Sequence, residues 1–149
     1  MSKFFIGMRS LRHLFWACAV AAAACGQIPD RSADAQAAEQ HVAAIYQAIE
    51  AKDFSKAAAM YSPLFYKEHS EDEWAGHLQE LNKQLGDLQS FRLTKVISNS
   101  NFSGVFLTLK YKTHYSKHDA FEQFVFTTPP GGGKLQVVSH KVDIDTFNS

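Results

Sequence analysis

The side chains of this chain that could do chemistry are its seven histidines, its two cysteines and a few strand-borne carboxylates. The histidines first suggest a metal site. His114 and His118 are four residues apart, but they fall on a predicted strand end and a predicted turn, where that spacing does not place both on one face. No H-E-x-x-H or comparable ligand set is present. The sequence therefore predicts neither a metal site nor a cofactor. It predicts that the histidines face solvent or are hydrogen-bonded.

Acid–base chemistry would need a carboxylate or imidazole inside a pocket, with its pKa adjusted by burial. Most acids lie at predicted helix starts and turns, where capping explains them, and Glu122 and Asp143 are the carboxylates on predicted strands. Nothing in the pattern forces either of them inward. The sequence therefore predicts no catalytic residue, and an enzyme stays open as an alternative.

The two cysteines lie within or directly after a predicted leader segment. Lys3, Arg9 and Arg12 precede an apolar run from Leu14 to Ala24, which is shorter than the roughly 20 residues that a membrane-spanning helix needs. Positive charge followed by a short apolar run and small residues is typical of a signal peptide. We therefore expect residues 1–24 to be a signal peptide that carries Cys18 away, which leaves the body without a disulfide.

The end of the leader resembles a bacterial lipobox, because three alanines precede Cys25 and Gly26 follows it. It departs from the usual pattern at Ala22, where leucine is common. The resemblance implies a lipid on the Cys25 thiol, a tether over 25–37 and a membrane partner. Gln27 and the lack of an aspartate directly after Cys25 favour the outer membrane, facing the periplasm. The alternative is ordinary cleavage, after Ala24 or within 35–37, giving a soluble periplasmic or secreted protein.

Charge excludes one class of partner. The full chain carries 15 basic and 15 acidic side chains, so loss of the three basic residues of the leader would leave the body slightly acidic. No basic run along the sequence stands out, and phosphate binding needs clustered Lys and Arg. We expect no nucleic-acid partner.

The sequence pattern of the body predicts helices followed by strands. Apolar residues at helical spacing predict a helix over about 37–51, and Asp53 is a good cap for a short second helix that ends before Pro63. Ser70 and Glu73 form a capping box before a third helix that ends at Gly86. Strands are predicted at 91–98, 105–115, 121–128 and 135–144, joined by a turn at 116–119 and a glycine-rich loop at 128–133. This segregated order is α+β.

The body resembles the cystatin-like/NTF2-like fold over about 38–146, and more narrowly small exported bacterial proteins whose domain has no assigned function. The resemblance rests on the helix junction at 48–54, on Trp74 with Leu81, and on Leu85-Gly86 before the first strand. It implies N-terminal helices packed in a curved four-stranded antiparallel sheet, with the domain spanning 38–149. Members that are enzymes, such as steroid isomerases and dehydratases, place an Asp or His base and a Tyr donor inside the cone. Members also pair through their sheets, and Phe106 and Phe124 suggest an apolar outer face for a homodimer.

Three functions follow from these features. The first is a lipid-anchored cell-envelope protein that binds a small apolar ligand or a protein partner, with pocket-lining candidates Tyr46, Tyr61, Trp74 and Tyr111. The second is an isomerase- or hydrolase-like enzyme with an acid and a tyrosine in the cone, and the third is a structural or assembly role at the outer membrane. A buried Asp, Glu or His beside a tyrosine hydroxyl would favour the enzyme.

Overall fold

The computed structural model describes residues 32–67, 69–128 and 133–145. The predicted signal peptide at 1–24, the predicted lipidation site Cys25 and the middle of the glycine-rich loop, 129–132, lie outside these ranges. Within them, no helix is both long enough and apolar enough to cross a bilayer.

The first helix, α1, spans Ala33–Glu50 and begins earlier than the sequence pattern predicts. The Ser32 hydroxyl caps it by accepting from the amide of Ala35 at 3.3 Å, and alanines, the best helix formers, fill the first turns. Residues 33–37, predicted as part of a tether, are therefore helical. The apolar periodicity that predicted a start near residue 37 marks only the turns that face the larger core side chains.

The second helix, α2, spans Phe54–Ala58, and the Asp53 carboxylate caps it as predicted. The third, α3, spans Glu71–Leu85, and its capping box is complete because Ser70 and Glu73 exchange both hydrogen bonds. Gly86 ends α3 with φ +87° and ψ −162°, so its φ is positive as expected but its backbone is not left-handed helical. A Cβ at Gly86 would lie 2.1 Å from the Ser116 hydroxyl, so only glycine fits.

Four strands follow: β1 Leu88–Asn101, β2 Gly104–Tyr115, β3 Asp119–Thr128 and β4 Gln136–Asp145. They form one antiparallel meander in the order β1-β2-β3-β4, so β3 is central as its apolar run predicts. Register shifts interrupt β1 and the β3–β4 pairing, and such bulges bend and twist a sheet. The predicted α+β architecture, helices against a curved four-stranded sheet, is confirmed.

The inner face of the sheet carries the odd-numbered residues of β2 and the even-numbered residues of β3, including Leu109 and Phe124, which are fully buried against α1. The predicted outer apolar face is therefore wrong at Phe124, because this residue shares the inward parity of Phe126. Phe106 does lie on the outer side, opposite Asn99 and Thr127.

Candidate functional site

Polar side chains from three neighbouring strands meet inside the cone. Glu122 of β3 is paired in register with Tyr111 of β2 and Val142 of β4. The inward neighbours are Thr113, one step along β2, Tyr115, two steps along β2, and His140, one step along β4. The Glu122 residue is 2% exposed and the His140 side chain 1% exposed. An ionisable pair thus lies within an otherwise apolar core.

The Glu122 carboxylate is held by three donors. The Tyr115 and Thr113 hydroxyls reach Oε1 at 2.8 and 2.9 Å, and His140 Nε2 lies 2.9 Å from Oε2. Burial raises the pKa of Glu122, but the hydrogen bond and charge of His140 and the two hydroxyl donors outweigh it, so the net pKa is lowered. The carboxylate is therefore ionised at neutral pH.

An ionised carboxylate only accepts hydrogen bonds, so Nε2 of His140 carries a hydrogen and donates it to Glu122. The other ring nitrogen, Nδ1, lies 2.8 Å from the Tyr61 hydroxyl. This distance is that of a hydrogen bond between the phenol and the ring. The result is a continuous chain, Tyr61–His140–Glu122, in which the acid fixes the tautomer and orientation of the imidazole, as in other acid–imidazole–hydroxyl arrangements.

Burial also governs the tyrosines of this region. It raises the pKa of Tyr115 and Tyr61 well above the ordinary value, and the charge of Glu122 adds to the effect at both. Both phenols therefore stay protonated at physiological pH. They act as neutral hydrogen-bond donors.

Aromatic rings cover the hydrogen-bonded series Tyr61–His140–Glu122 on the side of the helices. Phe65, from the one-turn 3-10 helix at Phe65–Lys67, lies with its ring centroid 4.6 Å from that of Tyr61 and 4.8 Å from that of Trp74. His77, one turn along α3, stacks on Trp74 at 4.9 Å. The Nε1 atom of Trp74 is buried without a hydrogen bond of ordinary geometry among the described groups, although it interacts with the Tyr61 hydroxyl closely enough to oppose the rise in the pKa of that phenol.

Cavities lie on both sides of His140. The interior cavity, lined by Leu78, Tyr115, Glu122 and their neighbours, has a volume of about 10 Å³, room for about one water molecule. On the outer side, a groove of about 360 Å³ is bordered by Leu64, Phe65, Lys67, His69, Trp74, Val138, Ser139 and His140. That volume lies in the range of small-molecule sites. A second groove of about 250 Å³ continues along Trp74 and His77.

The four predicted pocket residues divide between these surroundings. Trp74 lines both grooves, and Tyr61 lines a wide, open depression beside the start of α3. Tyr46 and Tyr111 lie in the core, with their ring centroids 5.6 Å apart in an edge-to-face contact. No described cavity is lined by either of them.

His140 was not singled out by sequence reasoning, and Glu122 was named without a direction. A signal for Glu122 was present, since it shares its parity with Phe124 and Phe126. For His140 the signal was hidden. The register shift opposite Val125 and Phe126 inserts one extra residue into β4, so simple alternation from Val137 would point His140 outward. Among the described residues, no three His, Cys, Asp or Glu side chains are grouped so that they could hold a metal ion.

Comparison with known proteins supports the architecture. No family model matches this chain, and no curated protein matches it. A candidate dehydratase of the NTF2-like family from Streptomyces avermitilis superposes with a TM-score of 0.50 at 14% identity, covering 76% of this chain and 97% of that one. The fold is NTF2-like.

Two further solved structures superpose on this chain at lower similarity. An NTF2-like protein of unknown function from Pseudomonas putida has a TM-score of 0.47 and 11% identity, covering 72% of this chain and 84% of that one. Bdellovibrio bacteriovorus Bd1075 has a TM-score of 0.49 and 13% identity over 75% of this chain. The present chain spans only 41% of the Bdellovibrio structure.

Proposed function

We propose that the domain binds a small molecule in the groove at the mouth of the cone. The body of the ligand would lie against Phe65 and Trp74, and its polar group would meet the edge formed by Ser139 and His140. The 360 Å³ groove provides the volume. Trp74 Nε1 lies near the Tyr61 hydroxyl without a hydrogen bond of ordinary geometry, so it is a candidate donor to such a ligand. The expected ligand is therefore a compact, largely apolar compound with one or two hydrogen-bond acceptors.

The observation that carries this proposal is the buried chain Tyr61–His140–Glu122. Replacing buried charged and polar partners by well-packed apolar residues is often neutral or stabilising. The fold therefore gains little from keeping a carboxylate and an imidazole where leucine and phenylalanine would fit. Perturbed ionisable groups beside a groove are instead typical of binding and catalytic sites.

The test is native mass spectrometry of the full chain, isolated from its own envelope in mild detergent. We expect a non-covalently bound small molecule that is lost on Trp74→Leu and on His140→Phe. The matched control is His114→Phe, which changes an exposed histidine on the outer face and should retain the ligand. Equal retention in all variants, or no bound molecule in the unsubstituted protein, would contradict the proposal.

Acid–base catalysis in the same groove is a second candidate, favoured by the hydrogen-bonded order of Tyr61, His140 and Glu122. A solved structure with this fold is a candidate dehydratase. Dehydration of a β-hydroxy carbonyl compound breaks a C–H bond and a C–O bond, forms a C=C bond and releases water. The Tyr61 hydroxyl would turn from His140 to the departing hydroxide and give it a proton, and the freed Nδ1 of His140 would accept the carbon-bound proton. Transfer of that proton from His140 to the Tyr61 phenolate would then restore both groups.

The enzyme candidate is tested by incubating the full chain with a panel of β-hydroxy ketones and thioesters, following the absorbance of the conjugated product. Tyr61→Phe should abolish turnover, whereas Tyr66→Phe should preserve it, because the Tyr66 hydroxyl is engaged with the carbonyl of Ala58. If ligand capture is found and turnover is not, the binding function stands alone.

We also propose that the protein is held at the outer membrane by a lipid on Cys25. The support is the order of positive charge, apolar run, small residues and cysteine in residues 3–26. Mass spectrometry of the N-terminal peptide should show an acylated cysteine, and Cys25→Ser should remove it. An unmodified terminus at Gly26 or later would overturn the anchor and leave the ligand proposal untouched.

A further inference from the structure

The outer face of the β1–β2 hairpin carries basic side chains directly opposite one another. Arg92 pairs with Lys112 and Lys95 pairs with Lys110 in the strand register. Like charges directly opposite each other destabilise a sheet. Two such pairs in succession are therefore a local cost to the fold.

Only part of this charge is neutralised. Lys112 lies 3.2 Å from the Asp119 carboxylate, which also pairs with His114. Among the described residues, no carboxylate forms an ion pair with Arg92, Lys95 or Lys110. Three uncompensated cations thus share one exposed face, although the protein as a whole is electrically balanced.

Beyond the cations, the same hairpin becomes apolar. Ile97 and Phe106 lie on its outer face and are partly exposed, and Phe102 at its tip is 98% exposed. A phenylalanine this exposed gains nothing from folding. Basic residues followed by exposed apolar ones are typical of surfaces that contact anionic lipid.

The tip lies at the end of the domain where α1 begins. His41 contacts Phe126 with ring centroids 5.7 Å apart, and Tyr46 contacts Phe124 at 5.8 Å. The helix thus runs along β3 in the opposite direction, and Ala33, about 12 Å before His41, lies near the level of the end of β3. Because Thr128 is opposite Val105, that level is also the level of the β1–β2 turn.

The chain that precedes α1 is long enough for this face to reach a membrane. Residues 26–32 can span at most about 23–25 Å when extended. The reach exceeds the width of a helix with its side chains, about 10–12 Å. A lipid at Cys25 would therefore allow the outer face of the hairpin to lie flat on the bilayer.

We propose that the outer face of the β1–β2 hairpin docks on an anionic lipid bilayer, with Phe102 at the lipid interface and Arg92, Lys95 and Lys110 against the phosphates. This rests on the proposed anchor, which brings the hairpin to the membrane. Docking would turn the sheet towards the bilayer and leave the groove at Trp74, on the helical side, open to solvent.

The test uses tryptophan as a depth probe. Full chains carrying Phe102→Trp are reconstituted in vesicles of phosphatidylglycerol and phosphatidylethanolamine with brominated acyl chains, which quench tryptophan on contact. We expect clear quenching beyond that of the unsubstituted protein, and much less in vesicles of brominated phosphatidylcholine. The control Leu64→Trp places the probe at a 42% exposed site beside the groove and should stay unquenched.

Charge variants test the electrostatic part. Each basic side chain near an anionic surface should change the docking equilibrium about five-fold, so Lys95→Gln with Lys110→Gln should weaken docking roughly thirty-fold. The matched control is Lys56→Gln with Lys83→Gln, which removes two lysines from helices and should leave the quenching unchanged. Added salt should release the native hairpin in the same way.

The outcomes separate this inference from the anchor. Quenching at position 102 that equals the Leu64→Trp control, or that is unchanged by the lysine substitutions, overturns docking while an acylated Cys25 would still stand. Cross-linking of position 102 to an envelope protein in place of lipid also overturns it. Quenching that persists in a protein with an unmodified Cys25 supports docking without the anchor.

Discussion

The core of this cone has two halves of opposite character. The aromatic half, Tyr46, Phe91, Tyr111 and Phe124, is packed through ring contacts, and the Tyr46 hydroxyl within it has no hydrogen-bond partner among the described groups. The polar half, Tyr61, Thr113, Tyr115, Glu122 and His140, satisfies its acid with three donors. The core thus buries the Tyr46 hydroxyl without a partner, whereas the hydroxyls of the polar half are hydrogen-bonded.

The difference separates stability from function. The aromatic half follows the usual rule that large rings fill a core and tolerate an imperfect polar atom. In the polar half, several hydrogen bonds serve only to satisfy an acid and an imidazole that an apolar core would not contain. Phe124 marks the boundary, because its ring stacks on that of His140 with centroids 3.9 Å apart. We infer that the polar half is retained for the groove beside it.

The largest effect should come from breaking the polar half at one point. His140→Ala removes the donor to Glu122 and the partner of Tyr61, and leaves a cavity beside Phe124. We expect a loss of about 3–5 kcal/mol in the free energy of unfolding. Urea titration followed by circular dichroism measures it.

The control replaces the whole polar chain rather than one member. The combination Tyr61→Phe, Tyr115→Phe, Glu122→Leu and His140→Phe leaves Thr113 its bond to the carbonyl of Ala120. We expect this variant to be at least as stable as the natural chain, and to lose any ligand. A variant that is as unstable as His140→Ala would show that the polar half serves the fold.

A tyrosine-to-phenylalanine substitution in each half should give a smaller change in the free energy of unfolding, and the two values can be compared directly. Tyr115→Phe removes a hydrogen bond to an ionised acid and should cost about 1.5–3 kcal/mol. Tyr46→Phe removes only an unpartnered buried hydroxyl, so it should be neutral or stabilising. Both are read from the urea midpoint at constant slope. A cost at Tyr46 similar to that at Tyr115 would remove the distinction between the halves.

Acid should act on the polar half alone. The native pKa of Glu122 is lowered, so the folded state favours the carboxylate more than the unfolded state does. Its contribution is fully present above the ordinary value of 4.5 and is lost as the pH falls below that value towards the native pKa. The unfolding free energy should therefore decline over this range.

Glu122→Gln should flatten that acid decline, measured as the urea midpoint from neutral pH downwards. Three acids outside the core, Glu73, Asp87 and Asp119, also have lowered pKa values, and they remain as a shared background in both proteins. Parallel acid profiles for the two proteins would contradict the assignment of an ionised Glu122 to the core.

Sequence reasoning reached the fold more fully than the site. Capping at Asp53 and Ser70, and the alternation along β2, fixed local structure because they depend on neighbours in the chain. The site depends on register. One extra residue in β4 decides that His140 points inward, and two hydroxyls from β2 decide that Glu122 can be buried as an anion. Neither is visible in composition or spacing.

The smallest expected effect concerns the helix that covers the polar half. Gly76 is exposed in the middle of α3, and a Cβ there would meet nothing within 4 Å. Gly76→Ala should therefore stabilise the protein by about 0.5–1 kcal/mol, chiefly by limiting the unfolded chain. Ligand capture in the groove should not change, because Trp74 and His77 keep their positions. If capture falls while stability rises, α3 must move for the ligand to enter, and the groove is not preformed.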